Sequence, residues 1–148
     1  MYPVVITLHN IVRWLVLILG VIAVLRAYIG WFGKHEWKET DRKIGSYVSI
    51  AIDIQVLLGL VLYFISPLTK AAMSNFGGAM QNHELRFFAL EHVFYMVLAL
   101  IFAHLGSMLP KRATDSIAKH RRAAIFFSLT VLLVLLGIPW GRPLIPGL

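Results

Sequence analysis

Residues 4–29 read VVITLHNIVRWLVLILGVIAVLRAYI, and only Arg13 and Arg26 in this stretch are charged. A helix needs about 20 mostly apolar residues to cross the hydrocarbon core of a bilayer. The stretch meets that requirement, and it is too long and too apolar for a strand of a small barrel. Because no basic residue precedes it and no small-residue cleavage site follows, we expect a permanent membrane span rather than a signal peptide.

Three further stretches have the same character, which gives four predicted spans at about 4–29, 44–66, 85–108 and 123–140. Short connections between them predict an all-α integral membrane four-helix bundle, with residues 1–148 as a single domain. Hydrophobic residues make up 59% of the chain, charged residues 14%, and the mean hydropathy is +0.77. These values exclude a disordered chain and an ordinary soluble enzyme. The absence of cysteine excludes disulfides and thiolate metal sites.

The basic residues predict the orientation of the bundle. Most of them flank the first and third connections, at Lys34, Lys38, Arg42, Lys43, Lys111, Arg112, Lys119, Arg121 and Arg122. The middle connection and the tail carry only Lys70, Arg86 and Arg142. Since cytoplasmic loops are rich in Lys and Arg, we expect both termini to lie outside. The same rule accounts for the net charge of +7, so we expect no nucleic-acid partner.

The first and third spans align with each other when His9 is placed on His92. The second and fourth spans share Val-Leu-Leu, at residues 56–58 and 131–133. This pattern is consistent with two tandem helical hairpins, although apolar helices also resemble one another through composition alone.

Ionisable residues within spans are costly, and each is a candidate functional residue. His9 and His92 each lie six or seven residues inside a different span, so both are roughly 10 Å below the outer boundary. Two histidines at one depth are what bis-histidine ligation of haem b requires, with the porphyrin in the apolar core. The alternative is two unrelated histidines that form hydrogen bonds between helices.

Arg13 lies one turn from His9 and is too deep to reach the surface easily. An ion pair with Asp53 or Glu91 would offset part of its desolvation. Alternatively, it would bind a haem propionate or a quinone carbonyl. Glu91 is also a candidate proton carrier for quinol chemistry, because it is an ionisable residue within a span.

The sequence also contains two weaker candidates for a metal site. His104 lies about 18 Å along the helix from His92, so a second haem would lie between His104 and His120 near the inner surface. The middle connection, residues 67–84, holds soft ligands suited to Cu(I), namely Met73, Met80 and His83. The simpler interpretation of that connection is a short interfacial helix broken at Gly77-Gly78.

The chain resembles a family of small four-helix bacterial membrane proteins, common in Bacteroidetes-type genomes and often labelled "cytochrome B". The pieces that carry the resemblance are Leu8-His9 with Arg13, Asp41-Arg42-Lys43, residues 54–64 with Ser66-Pro67, Arg86-Phe87 with Glu91-His92, His120, and Ile138-Pro139-Trp140. Family members often carry histidine where this chain has Asp53, which argues against a ligand in the second span. The plan also resembles the cytochrome b561 and CopD-like groups, which hold haem b between helices.

The resemblance implies a bacterial inner-membrane protein that transfers electrons through haem b between a quinol and an outer acceptor. The residues implied are His9 and His92 as iron ligands and Arg13 beside the haem. A different interpretation is a cofactor-free accessory subunit of a larger respiratory or photosynthetic complex, or of a homo-oligomer. The chain has no hydrolase, zinc-protease or nucleotide-binding motif. The sequence therefore does not decide whether the protein is an enzyme.

Overall fold

A computed structural model describes residues 1–145, and all regular secondary structure in this part of the chain is helical, without a strand. The helices are α1 (Tyr2–Phe32), α2 (Glu39–Ile65), α3 (Pro67–Ser74), α4 (Phe76–Ala79), α5 (His83–Arg86), α6 (His92–Met108) and α7 (Ser116–Gly137). A π-helical turn, Phe87–Glu91, joins α5 to α6, and a 3-10 turn, Leu109–Arg112, follows α6. The predicted all-helical class is confirmed for these residues.

Four segments of the structure are long and apolar enough to cross a membrane: α1, α2, the continuous segment His83–Arg112, and α7. The four predicted spans are therefore confirmed as apolar helices, whereas the outward termini and the tandem repeat stay predictions. The start of α1 and the end of α7 lie at the same end of the bundle. We call the half of the bundle at that end the terminal half, and the half that holds residues 33–38 and 109–115 the loop half.

The helix bounds differ most from prediction in α7, which begins seven residues before the predicted start at 123 and ends three before 140. The Asp115 carboxylate accepts a hydrogen bond of 2.8 Å from the Ala118 amide and caps the early start. Ile138 precedes a proline and has the extended backbone that this position favours, with φ −75° and ψ 130°. Local capping and the proline therefore set both ends of the helix.

The core of the loop half is apolar and tightly packed around Phe127, which is 2% exposed. A Cβ atom added at Gly106 would lie 2.8 Å from the ring, and one added at Gly45 would lie 3.2 Å from it. Only glycine at 106 lets α6 approach α7 this closely. Fully buried alanines, such as Ala103 and Ala124, continue the same close packing between helices.

Large apolar side chains cover the outside of the four long helices. Ile18, Leu25, Leu57 and Leu132 are each more than half exposed. Because a soluble protein rarely exposes apolar area on this scale, the surface fits contact with lipid.

The middle connection forms two short helices, α3 and α4, instead of one. The break falls at Asn75, and the predicted breakers Gly77 and Gly78 lie inside α4. Asn75 caps α4, since its side-chain oxygen accepts a hydrogen bond of 3.1 Å from the Gly78 amide. Met80 packs on a small alanine cluster, while the Met73 side chain is half exposed.

Candidate intramembrane histidine site

His9 and His92 meet in the core of the terminal half. His9 lies in the third turn of α1, and His92 is the first residue of α6 after the π-helical turn. Their ring centroids are 6.2 Å apart, and the ring planes are inclined by 67°. The structure therefore brings together the two residues that the depth argument paired.

The π-helical turn sets the direction of His92. The backbone amide of His92 bonds to the carbonyl of Phe87, five residues earlier, so the turn holds one more residue than an α-helical turn. The rings of Phe87 and Phe88 flank the imidazole, with centroids 5.9 and 6.3 Å away. Turns of this kind are common at functional sites, and this one precedes the candidate ligand directly.

His92 is oriented by the end of α7. Its Nδ1 lies 2.6 Å from the carbonyl oxygen of Gly137, which only accepts hydrogen bonds. The neutral ring therefore carries its proton on Nδ1 and keeps a lone pair on Nε2, the arrangement of a histidine prepared to bind a metal. A Cβ atom at Gly137 would lie 2.4 Å from the terminal methyl of Met96, a flexible side chain that would have to move aside.

His9 is held by α2. The amide nitrogen of Gln55 lies 3.3 Å from His9 Nε2 and donates to it when that nitrogen holds the lone pair. His9 Nδ1 and Gln55 Oε1 are buried and have no hydrogen-bond partner within residues 1–145. Gly59 leaves space for the ring, since a Cβ atom there would lie 3.3 Å from His9 Cε1. The site thus contains polar atoms whose bonding is incomplete.

Arg13 closes the site on the side of the tail. It is 6% exposed, and it donates to the carbonyl of Leu144 and, at 3.3 Å, to Asn10 Oδ1. The Trp14 indole donates to the same Leu144 carbonyl at 3.0 Å. Arg13 does not form the expected ion pair with Asp53 or Glu91. Instead, the tail folds back over α1, and its Leu144 carbonyl accepts the hydrogen bond.

The two carboxylates expected beside Arg13 have other partners. Glu91 accepts a hydrogen bond of 2.7 Å from Arg86 Nε. Asp53 lies 2.7 Å from His104 Nε2 on the outside of the bundle. Neither carboxylate is therefore part of the polar cluster around His9.

His104 and His120 are not brought together. His104 binds Asp53, whereas His120 lies against the backbone of Gly30 and the edge of Trp37, with ring centroids 4.9 Å apart. His120 is 2% exposed, and neither of its ring nitrogens has a partner in the described part of the chain. His104 and His120 therefore do not form the pair of imidazoles that a second haem near the inner surface would require.

The positions of His9 and His92 can be compared with the geometry of a metal ion bound by two imidazoles. Histidine–metal bonds are about 2 Å long, and the ring centre lies about 1 Å beyond the nitrogen, so two imidazoles on opposite sides of one metal ion have centres about 6 Å apart. The ring centroids of His9 and His92 are 6.2 Å apart, close to this value, while His9 Nε2 contacts the Gln55 amide and His92 Nδ1 contacts the Gly137 carbonyl. Among residues 1–145 no group of three His, Cys, Asp or Glu side chains could hold a bare metal ion. Two histidines alone fit a metal that brings its own ring of ligands, as haem does.

Sequence reasoning missed Gln55 and Gly137, because it considered only ionisable residues within the spans. A glutamine at the centre of an apolar helix was a usable signal, since an amide in a span also requires a partner. The role of Gly137 had no signal in the sequence, because it depends on the backbone carbonyl and on the packing of α6 against α7.

No protein-family model, no curated protein and no solved structure matches this chain. The similarity to the "cytochrome B" family therefore stays a prediction. What the fold defines is the class: a helical protein with four helices fit to cross a membrane and a polar cluster inside the bundle.

Proposed function

We propose that the chain is a haem b-binding electron-transfer protein, or a subunit of one, in the bacterial inner membrane. The observation that carries the proposal is the pair His9 and His92, on two helices at one depth with ring centroids 6.2 Å apart. In this role His9 and His92 would hold the haem iron through their imidazole nitrogens. Haem, when bound, supplies a one-electron redox centre.

The neighbouring residues have separate tasks in this proposal. The Gly137 carbonyl accepts the Nδ1 proton of His92, so Nε2 keeps the lone pair that would bind a metal. The Gln55 amide contacts His9 Nε2, and this contact would have to be released for that nitrogen to hold the iron. Arg13 supplies a fixed positive charge near the site, which favours the binding of an acidic propionate.

We further propose that electrons pass between a quinol in the bilayer and an acceptor outside the membrane. The polar cluster lies in the terminal half, which the distribution of Lys and Arg assigns to the outer side. In this proposal Glu91, whose side chain is one-third exposed and bonded to Arg86, is the candidate proton acceptor next to His92.

The test is the visible spectrum of the purified protein, oxidised and then reduced with dithionite, in detergent with haem supplied during expression. We expect the sharp α-band of a low-spin haem b. We expect His9→Ala and His92→Ala to abolish it and the matched controls His104→Ala and His120→Ala to retain it. A band that survives both terminal-half substitutions would contradict the assignment of the ligands.

A second function has its own observation in its favour. The same polar side chains connect separate elements: His9 joins α1 to α2, His92 joins α6 to the end of α7, and Arg13 joins α1 to the tail. A cofactor-free accessory subunit of a larger membrane complex would use these bonds only to hold its helices in place. A featureless spectrum from monodisperse, helical protein supports this function and overturns the haem proposal.

A further inference from the structure

A cleft of about 510 Å³ opens in the loop half, where the end of α1 meets the start of α2. We call it the loop cleft. Its polar lining consists of Arg26, His35, Glu36, Lys38, Asp41 and His120. A concave site with several converging polar groups is a candidate binding site, and this one contains no residue of the histidine site in the terminal half.

The loop cleft lies at the depth of lipid headgroups. The apolar helix α1 ends at Phe32, and charged residues follow directly from Lys34 onwards. The rings of Tyr28, Trp31 and Phe32 stack at this end of the helix, with centroids 6.0 Å apart for Tyr28 and Trp31 and 4.8 Å apart for Trp31 and Phe32. Aromatic residues at the end of a span are typical of the boundary between hydrocarbon and headgroups.

His120 gives the loop cleft an inner wall with unused hydrogen-bonding capacity. It is 2% exposed, and neither ring nitrogen has a partner among residues 1–145. The edge of the ring that carries both nitrogens faces Gly30, which also lines the cleft, and a Cβ atom on Gly30 would lie 2.4 Å from Nδ1. A buried polar group without a partner is costly, so a ligand that bonds to it gains affinity.

The charges of the loop cleft divide into a paired set and an unpaired set. Asp41 accepts from Arg26 Nε at 3.0 Å and from the Lys38 amide at 2.9 Å, so both of its oxygens are used. The side chains of Glu36 and Lys38 form no ion pair within residues 1–145. One negative and one positive group are therefore free to bind a ligand that carries both charges.

One side of the loop cleft is apolar. Ile29 lines it and is 59% exposed on the outside of α1, where the surface fits contact with lipid. A ligand that reaches the cleft along this side has an apolar part in the bilayer and a polar part among the charges.

We propose that the loop cleft binds a phospholipid with a zwitterionic headgroup, in which a phosphodiester is joined to a primary ammonium group. Lys38 and His120 donate to the phosphate oxygens, Glu36 accepts from the ammonium group, and the acyl chains leave past Ile29. The cleft is remote from His9 and His92, so this site does not depend on the haem proposal.

Native mass spectrometry of the full chain, delipidated in detergent, tests the site. Three probes are added stepwise: phosphatidylethanolamine, phosphatidylglycerol with the same acyl chains, and free phosphoethanolamine. We expect phosphatidylethanolamine to bind roughly fivefold tighter than phosphatidylglycerol, because only its headgroup has a cation for Glu36. Free phosphoethanolamine should bind much more weakly than either lipid, because it has no acyl chains to bury.

Three substitutions assign the roles within the cleft. Glu36→Gln should remove the preference between the two lipids, and Lys38→Gln should weaken both roughly fivefold. His120→Leu should weaken both roughly tenfold, since it removes a hydrogen bond to a charged phosphate. The matched control is Lys34→Gln, which changes the same charge in the same connection outside the cleft, and we expect no effect.

Circular dichroism and elution volume establish that each variant is folded before its binding is compared. Equal binding of the two lipids by the unmodified chain overturns the zwitterionic assignment. Lipid binding that is unchanged in Lys38→Gln and His120→Leu overturns the site itself. Free phosphoethanolamine that binds as tightly as the lipid overturns the lipid as the source, in favour of a soluble ligand with the same headgroup chemistry.

Discussion

The two halves of the bundle hold their helices together in different ways. In the loop half, Phe127 packs against glycine and alanine, and the helices are close because their side chains are small. In the terminal half, His9, Gln55 and His92 lie between the helices, and two of their polar atoms, His9 Nδ1 and Gln55 Oε1, are not paired within residues 1–145. The loop half also buries an unpaired imidazole, His120, but that ring packs alone against Gly30 and Trp37. A core in which two imidazoles meet is better suited to binding a ligand than a core with a single one.

Truncation of Phe127 in the loop half is expected to destabilise the bundle more than any other substitution proposed here. Phe127→Ala leaves a cavity between Gly45 and Gly106, and we expect the free energy of unfolding to fall by about 3–5 kcal/mol. Thermal unfolding in detergent followed by circular dichroism measures the loss. Haem absorbance per folded molecule should stay unchanged, and a parallel loss of the spectrum would show that the two halves are coupled.

A smaller and opposite effect is expected at His120, the one polar side chain that the loop half buries without a partner among residues 1–145. His120→Leu removes two unpaired ring nitrogens, so we expect the free energy of unfolding to rise by about 1 kcal/mol. The control is His35→Leu, which changes an exposed residue. Destabilisation by His120→Leu would mean that the imidazole has a partner, such as buried water, and that the loop half is less purely apolar than described.

Substitution of Gln55 in the terminal half is expected to change stability only slightly. Gln55→Leu removes a single contact between α1 and α2, so we expect a loss of about 0.6 kcal/mol in unfolding free energy. Haem binding should be equal or tighter, because His9 Nε2 then has no competing donor. Titration of haem into the apoprotein measures this, and weaker binding would show that Gln55 supports the site rather than competing for it.

Much of the fold could be predicted, because span length and apolar composition are properties of each segment alone. The meeting of His9 and His92 also followed from counting residues, since depth in a membrane is set by position along a helix. The partner of Arg13 could not be found in this way. It is the backbone carbonyl of Leu144, and that contact depends on how the tail folds back over α1.

The contacts of Asp53, His104 and His92 could not be predicted from the sequence for a similar reason. Asp53 and His104 are far apart in sequence, and only the packing of α2 against α6 shows that they pair and that both are half exposed. The bond between His92 and Gly137 depends on where α7 stops, which in turn depends on the proline at 139.

The π-helical turn at Phe87–Glu91 makes the terminal half sensitive to chain length as well as to side-chain chemistry. Removal of one residue from this turn would restore a regular α-helix and rotate the preceding segment relative to α6 by about 100°. If α6 kept its packing in the loop half, α5 and the middle connection would have to move. If the connection stayed, His92 would swing away from His9. A single-residue deletion there would thus disrupt the packing of the terminal half and leave the buried residues of the loop half unchanged.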